Sequence, residues 1–314
     1  MNYLGIDIGG TKCAVLLGDD RGNILKKEAV PTTTVNETLN WIVETAEKLK
    51  GDSEAIGISC GGPLDSEKGI ILSPPNLPGW DKIEIVKILE DRLNIPAYLC
   101  NDANACAVAE WKFGAGRGCS NMVFLTFGTG LGAGLILNGR LYSGASDMAG
   151  EVGHIRISEL GPVGYGKSGS FEGFCSGGGI KQLGEAYALE KLQMGKSVSF
   201  CEDISKLDLI SAKLIAEKAN DGEKDAIEVF GICGEKLGRG LSILIDVLNP
   251  ERIVLGSIYQ RCEHLLINSM DKVLKEECLG ASYSACKVVA AELKENIGDV
   301  AALSVAAMHG KETE

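Results

Sequence analysis

Read for its spacing of apolar and polar positions, the chain opens as strand, turn, strand, turn, strand. Residues 3–8, 13–17 and 24–29 are the predicted strands, separated by Gly9-Gly10-Thr11-Lys12 and by the polar run Asp19-Asp20-Arg21-Gly22-Asn23. The same grammar returns later: strands over 122–127, 133–137 and 140–142, with turns at Gly128-Thr129-Gly130-Leu131-Gly132 and Asn138-Gly139. Asn-Gly is a hairpin signal because both central residues of a type I′ turn need positive φ. Two related units predict two related lobes. Between them, amphipathic periodicity predicts helices over 35–49 and 83–93, and apolar runs predict strands at 55–59 and 97–100, an α/β alternation. Residues 144–179 are glycine-rich and too broken for regular elements, and long loops in compact enzymes usually carry function. The remainder predicts helices near 178–189, 209–220, 224–249, 261–277 and 297–309, interrupted by one buried strand over 252–255 that ends at Gly256.

Length and charge narrow the picture. At 314 residues the chain exceeds what one core usually organises, which favours two lobes around a central cleft. Lys plus Arg total 31 and Asp plus Glu 43, a formal charge of -12, so the summed field repels nucleic acid and acidic membrane surfaces. A small phosphate ligand can still be captured locally by backbone N–H groups. The 11 cysteines are scattered with no CxxC pair, as expected of reduced thiols. The first residues lack a basic and apolar leader pattern, and no run reaches the roughly 18 apolar residues that span a bilayer, so a cytoplasmic protein is expected.

Certain turns then stand out chemically. Asp7-Ile8-Gly9-Gly10-Thr11-Lys12 puts an acid at a strand end before a turn without bulky side chains, where backbone N–H groups can approach a phosphate beside a hydroxyl and an ammonium. It also reads as an ordinary glycine-rich hairpin. It is not a Walker A loop, because a strand rather than a helix follows. Residues 128–134 suggest a dinucleotide fingerprint, but the Asn138-Gly139 hairpin follows where that site needs a helix. What remains is a second phosphate-sized turn matching the first. Asn101-Asp102 follows a strand and precedes a helix; both residues are good N-caps, and Asp102 is also placed to act as a general base on a hydroxyl. Glu151, His154 and Glu172, in the glycine-rich stretch, supply the acceptors and the imidazole that a polyhydroxyl ligand needs. His264 and His309 fall on helical patterns, where the plain structural reading is better.

Taken in order, these strings resemble the ROK family of repressors, open reading frames and sugar kinases. The matching residues are Gly5 to Lys12, Gly61-Gly62-Pro63, Asn76-Leu77-Pro78-Gly79-Trp80, Asn101-Asp102, Gly128 to Gly134, Glu151-Val152-Gly153-His154 and Asn249 to Gly256, over nearly the whole chain. The resemblance implies an actin-like (ribonuclease H-like) α/β fold and transfer of the ATP γ-phosphate to a hexose or N-acetylhexosamine hydroxyl, usually O6. It implies Asp102 as catalytic base, with Gly62, Asn101, Glu151, His154 and Glu172 holding the sugar. Gly9, Gly10, Thr11, Lys12, Thr129 and Gly130 would meet phosphates, Gly256-Ser257 would border the adenosine, and Asp7 would orient hydrated magnesium. A dimer is implied as well. The lobes expected are residues 1–115, completed by a C-terminal helix at about 297–314, and residues 116–296.

One departure stands out. Family members commonly follow the Gly-His pair with a CxCGxxGC zinc motif, and here Val163, Tyr165 and Ser170 stand at its thiolate positions. Valine offers no donor atom, so no structural zinc is expected; packing of Tyr165 and Phe171 is the expected substitute for the metal. A repressor is disfavoured, since its DNA-binding domain would precede the first glycine turn and the chain is acidic. The remaining alternative is a non-catalytic sugar-binding sensor of the same family.

Overall fold

The computed structural model describes residues 1–309, apart from the side chain of Glu295; the last five positions of the expected C-terminal helix lie outside the described residues. In chain order the elements are strands β1 (Asn2–Ile8), β2 (Lys12–Asp19) and β3 (Ile24–Pro31), helix α1 (Val35–Leu49), and strands β4 (Ile56–Cys60), β5 (Leu64–Asp65) and β6 (Ile70–Ile71). Next come α2 (Ile85–Leu93), β7 (Ala97–Asn101), α3 (Asp102–Phe113), β8 (Met122–Phe127), β9 (Leu131–Leu137) and β10 (Arg140–Tyr142). After a 3₁₀ turn at Val152–His154 follow β11 (Val163–Gly164), β12 (Lys167–Ser168), α4 (Phe171–Phe174), α5 (Gly177–Gln193), α6 (Ala212–Asn220) and α7 (Lys224–Leu248). The chain ends with β13 (Arg252–Leu255), α8 (Ile258–Glu277), α9 (Gly280–Ala285), β14 (Lys287–Ala290) and α10 (Ile297–His309).

Contacts divide the chain into two compact units. The first comprises Met1–Phe124, Gly134–Gly150 and the segment from Glu292 onward; the second comprises Leu125–Ala133 and Glu151–Ala291. One sheet has the order β3-β2-β1-β4-β7, antiparallel along β1-β2-β3 and parallel from β1 through β4 to β7. The other has the order β10-β9-β8-β13-β14, with β10 antiparallel to β9 and β14 parallel to β13. The repeated hairpin grammar therefore marks the opening of two five-stranded sheets.

In the first unit, β4 is buried at every position, as a strand covered on both faces must be. One face packs on Ile42, Ala46 and Leu49 of α1 and Ile85, Leu89 and Leu93 of α2. The other meets α10, whose Ala302, Leu303 and Ala306 approach so closely that a Cβ at Gly57 would run into the Ala302 carbonyl. Small residues on both partners permit that approach. At the far end of α3, the fully buried carboxylate of Glu110 accepts from the backbone of Ala115 (2.7 Å), Glu292 (3.2 Å) and Leu293 (2.9 Å). It thereby fixes the point where the chain re-enters this unit.

The structure departs from the sequence reading mainly at element edges and in one loop. Helix α2 begins at Ile85 because Ile83 bridges to Ile71 instead. The stretch expected to lack regular elements contains the two-residue strands β11 and β12, α4 and the first turn of α5. Elements this short carry too few apolar positions to show a period.

Candidate active site

Within the first unit the sequence-predicted residues gather around the carboxyl ends of β1, β4 and β7. The β1–β2 turn closes with Gly9 N donating to the Lys12 carbonyl at 3.1 Å, while Thr32 Oγ1 donates to the Gly9 carbonyl at 2.6 Å. Any side chain at Gly10 would collide with the Asn76 carbonyl, so glycine is required by close approach. The Asn76 amide lies over Gly61, with its atoms 3.4 Å from where a Cβ would stand, and Asn101 Nδ2 is equally close to the Cβ position of Gly62. Asn76 is held by its neighbours Leu77 and Trp80, each 1 % exposed. Thr11 and Lys12 are exposed at the turn.

Asn101 is the N-cap of α3, its Oδ1 accepting from Ala103 N at 3.0 Å and more weakly from Asn104 N at 3.4 Å. The capping role thus falls to Asn101, and Asp102 occupies the first helical position with Oδ1 accepting from Ala103 N at 2.8 Å. Water reaches the Asp102 carboxylate, yet protein crowds it on its other sides. The lost solvation raises its pKa from the ordinary carboxylate value, against the opposing pull of the Ala103 amide. Asp7, half-buried on β1, is pushed up to about 7, first by burial and then by the charges of Asp299 and Asp102, with Lys27 and Lys12 pulling the other way. Asp299, in the first turn of α10, is itself paired with Lys27.

In the second unit the turn at Gly128–Leu131 is the centre. Glu172 Oε2 accepts from Leu131 N at 3.0 Å and lies 2.8 Å from the Cβ position of Gly130. One oxygen of Glu172 therefore pins the turn, a backbone role that the sequence reading did not assign. Gly177 N, opening α5, donates to the Gly128 carbonyl at 2.8 Å, and Ser257 Oγ, at the cap of α8, lies 3.4 Å from the Cβ position of Gly128. Gly256 N donates to Leu125 O at 3.0 Å, placing the Gly256-Ser257 loop beside that turn. The turn Val152–His154, which Glu151 precedes, packs Gly153 against the Leu131 carbonyl and the Glu172 Cβ. So Thr129, Gly130, Glu151, His154, Glu172 and Gly256 come together here, and the N-termini of α5 and α8 direct their positive dipole ends at the turn.

The loop with the replaced cysteines is ordered by backbone bonding and one aromatic anchor. Phe171 is fully buried against Gly240 of α7, but Tyr165 is 74 % exposed, its ring set edge-to-face with the His154 ring at a centroid separation of 5.4 Å. The expected packing role thus holds for Phe171 and fails for Tyr165, whose positive φ at the β11–β12 turn directs it outward. Instead, Gln182 of α5 binds Val163 reciprocally, accepting from its N at 2.8 Å and donating to its carbonyl at 2.9 Å. Arg156 and Lys167 donate to the Ser168 and His154 carbonyls, and Ser170 caps α4. Val163, Tyr165 and Ser170 all serve this hairpin and cap, and Cys175 points its thiol at the Cys233 carbonyl. Among the described residues, no group of three or more His, Cys, Asp or Glu side chains is arranged to hold a metal.

The ROK family's sequence model matches residues 3–308. The chain belongs to the ROK family. A glucokinase from Thermotoga maritima is 30 % identical over 312 residues, 97 % of this chain and 97 % of its own. Among solved structures, a ROK family glucokinase from Streptomyces griseus in complex with glucose and AMPPNP matches with a TM-score of 0.76 at 30 % identity, covering 98 % of this chain and 100 % of that one. A xylose repressor from Caldicellulosiruptor bescii is also similar, 26 % identical over 295 residues, 94 % of this chain and 71 % of its own. This ROK chain has the actin-like α/β fold that its ordered motifs imply. The sequence reading gave no role to Asn76, although its string was part of the resemblance, and none to Ser176. The signal for Ser176 was available: a Ser before three glycines and an apolar-periodic run is an N-cap pattern, and its Oγ accepts from Gly179 N at 3.0 Å.

Proposed function

We propose that this ROK chain is an ATP-dependent kinase that phosphorylates a hexose or N-acetylhexosamine, most simply at O6, with Asp102 as the general base. The observation that carries the reading is the placement of Asp102: first residue of α3, held by the Ala103 amide, water-accessible and with its carboxyl shifted toward the protonated form. A base moved toward the working pH takes a hydroxyl proton more readily. The glucokinases similar to this chain support the reaction class.

In this reading the sugar is held by Asn101 Nδ2, the backbone at Gly62, Glu151, His154 and the free oxygen of Glu172. The turn residues Gly9, Gly10, Thr11, Lys12, Thr129 and Gly130 meet the phosphates, and Gly256 borders the adenosine. Asp102 takes the proton of the attacking hydroxyl, and its helix keeps the carboxylate aimed while charge develops on the phosphoryl oxygens. The residues present fit magnesium, because Asp299 and Asp102 add to burial in raising Asp7, an excess of negative charge that a divalent cation relieves. Asp7 would hold the ion through its water shell; when bound it supplies charge neutralisation on the phosphates.

The test is ADP release with ATP and magnesium against a panel of hexoses and N-acetylhexosamines, with Asp102→Asn as control. Sugar-dependent release that the variant loses is the expected result. The likeness to a xylose repressor keeps one second reading, a sugar-binding regulator without catalysis. Sugar binding by calorimetry with no ADP release across the panel would favour it.

A further inference from the structure

Apart from the residues assigned above, the first unit holds a cavity of about 970 Å³ along the open edge of β7, sharing only Asn101 with them. Among the described residues β7 is the last strand of its sheet and pairs with β4 alone. Because the Pro96 carbonyl accepts from Ile56 N at 2.8 Å, the alternate residues 97, 99 and 101 turn their backbone groups outward. Ala97 N is taken by the Glu90 carboxylate at 3.0 Å, and Asn101 belongs to the helix cap. Leu99 is left to present its N–H and carbonyl toward the cavity it lines. Asn104 lines the same cavity, is 2 % exposed, and its side-chain oxygen accepts no hydrogen bond. A buried acceptor without a donor is costly until something fills it.

The charges of the lining are unevenly matched. Asp147 is taken by Ser66 N and Oγ at 2.8 and 2.7 Å and Glu90 by Ala97, while of the lining lysines Lys68 pairs with Asp65 and Lys87 with Glu84, both acids outside the lining. Arg140, exposed on the edge strand β10, has no hydrogen-bond or ion-pair partner among the described residues, and Lys112 of α3, its ammonium 5.9 Å from the centre of the Trp111 ring, stands on the same lining. Leu141 of β10 packs on the apolar cluster that also receives Tyr98 and Phe113, and Lys112 lies near enough to His309 to help lower the pKa of its ring, after burial. Tyr98 and His309 close it with rings stacked 4.0 Å apart.

We propose that this cavity is a second ligand site, for a small phosphorylated sugar. Arg140 and Lys112 hold its phosphate, while the Asn104 oxygen and the Leu99 backbone take its hydroxyl groups. The choice of ligand class rests on the kinase reading, whose product carries both groups. The site is distinct from the catalytic one but shares its helix: α3 begins with Asp102 and carries Asn104 and Lys112.

Hydrogen exchange followed during titration with glucose 6-phosphate tests this. The expected result is slowed exchange at residues 97–101 and 305–309 of the native chain, with the half-maximal concentration raised at least tenfold in an Arg140→Ala, Lys112→Ala double variant. Protection confined to 9–12 and 128–132, or protection at 97–101 that the double variant retains, overturns the site. Orthophosphate acting at the same concentration as the sugar phosphate would reduce it to an anion site and overturn the assigned class. If the double variant does not fold, Arg140→Glu on its exposed strand repeats the comparison. Failure of the kinase reading would show separately, as absent sugar-dependent ADP release, and leaves the exchange measurement standing.

Discussion

Asp102 and Asp7 are two carboxyls moved in the same direction for different reasons. Asp102 loses solvation against the opposing pull of backbone amides; Asp7 loses solvation and is further repelled by Asp299 and Asp102. For Asp102→Asn the helix cap is untouched, because Asn101 supplies it. The expected outcome is a turnover reduced roughly 10²–10⁴-fold, the scale of a lost general base, with sugar affinity by calorimetry changed less than about threefold. Asp7 bears on stability. Its pKa in the folded state, about 7, lies above the ordinary carboxylate value, so its favourable contribution is fully present below that ordinary value and is lost as pH rises through about 7. The magnesium-free protein should therefore lose urea resistance between pH 5 and pH 8, and Asp7→Asn should flatten that part of the slope. An unchanged slope in the variant would show that other groups dominate.

At the scale of elements, the loop with the replaced thiolates is held by backbone bonds and one aromatic anchor. Phe171 is fully buried on α7, next to a cap at Ser170, a reciprocal amide pair at Gln182 and a two-strand hairpin. Phe171→Ala should cost about 3–5 kcal/mol by urea denaturation, the range for emptying a buried aromatic site. Tyr165→Ala, at 74 % exposure, should stay within about 0.5 kcal/mol. Equal effects of the two would contradict the anchor assigned to Phe171. Glu172 ties this element to the glycine turn, since α4 delivers its Oε2 to Leu131 N, 41 residues earlier in the chain.

For the whole molecule, the decisive event is the return of the chain to its first sheet. α10 comes last yet packs on β1 and β4, where Gly57 and a run of alanines let helix and sheet approach. Glu110 holds the re-entry point with its three backbone donors. Glu110→Ala should leave those amides without an acceptor and cost on the order of 3 kcal/mol or more in thermal or urea unfolding. A loss under about 1 kcal/mol would mean that water replaces the carboxylate. No helix among the described residues is long and apolar enough to cross a membrane.

The glycine turns, the hairpin pairs, the long helices and the order of the motifs were legible in the sequence, because each depends on residues within a few positions of one another. Local pattern also placed Asp7 near the end of a strand and Asn101-Asp102 at a junction of strand and helix. The sequence did not decide which of Asn101 and Asp102 caps α3, because both side chains suit the task; backbone geometry gave it to Asn101. Nor could it give Asn76 its place against Gly10, Glu172 its bond to Leu131, or Tyr165 its outward turn. Each of these depends on backbone groups that are distant in sequence or on a φ set by the surrounding fold. Only tertiary packing brings such groups together, and no local preference records it.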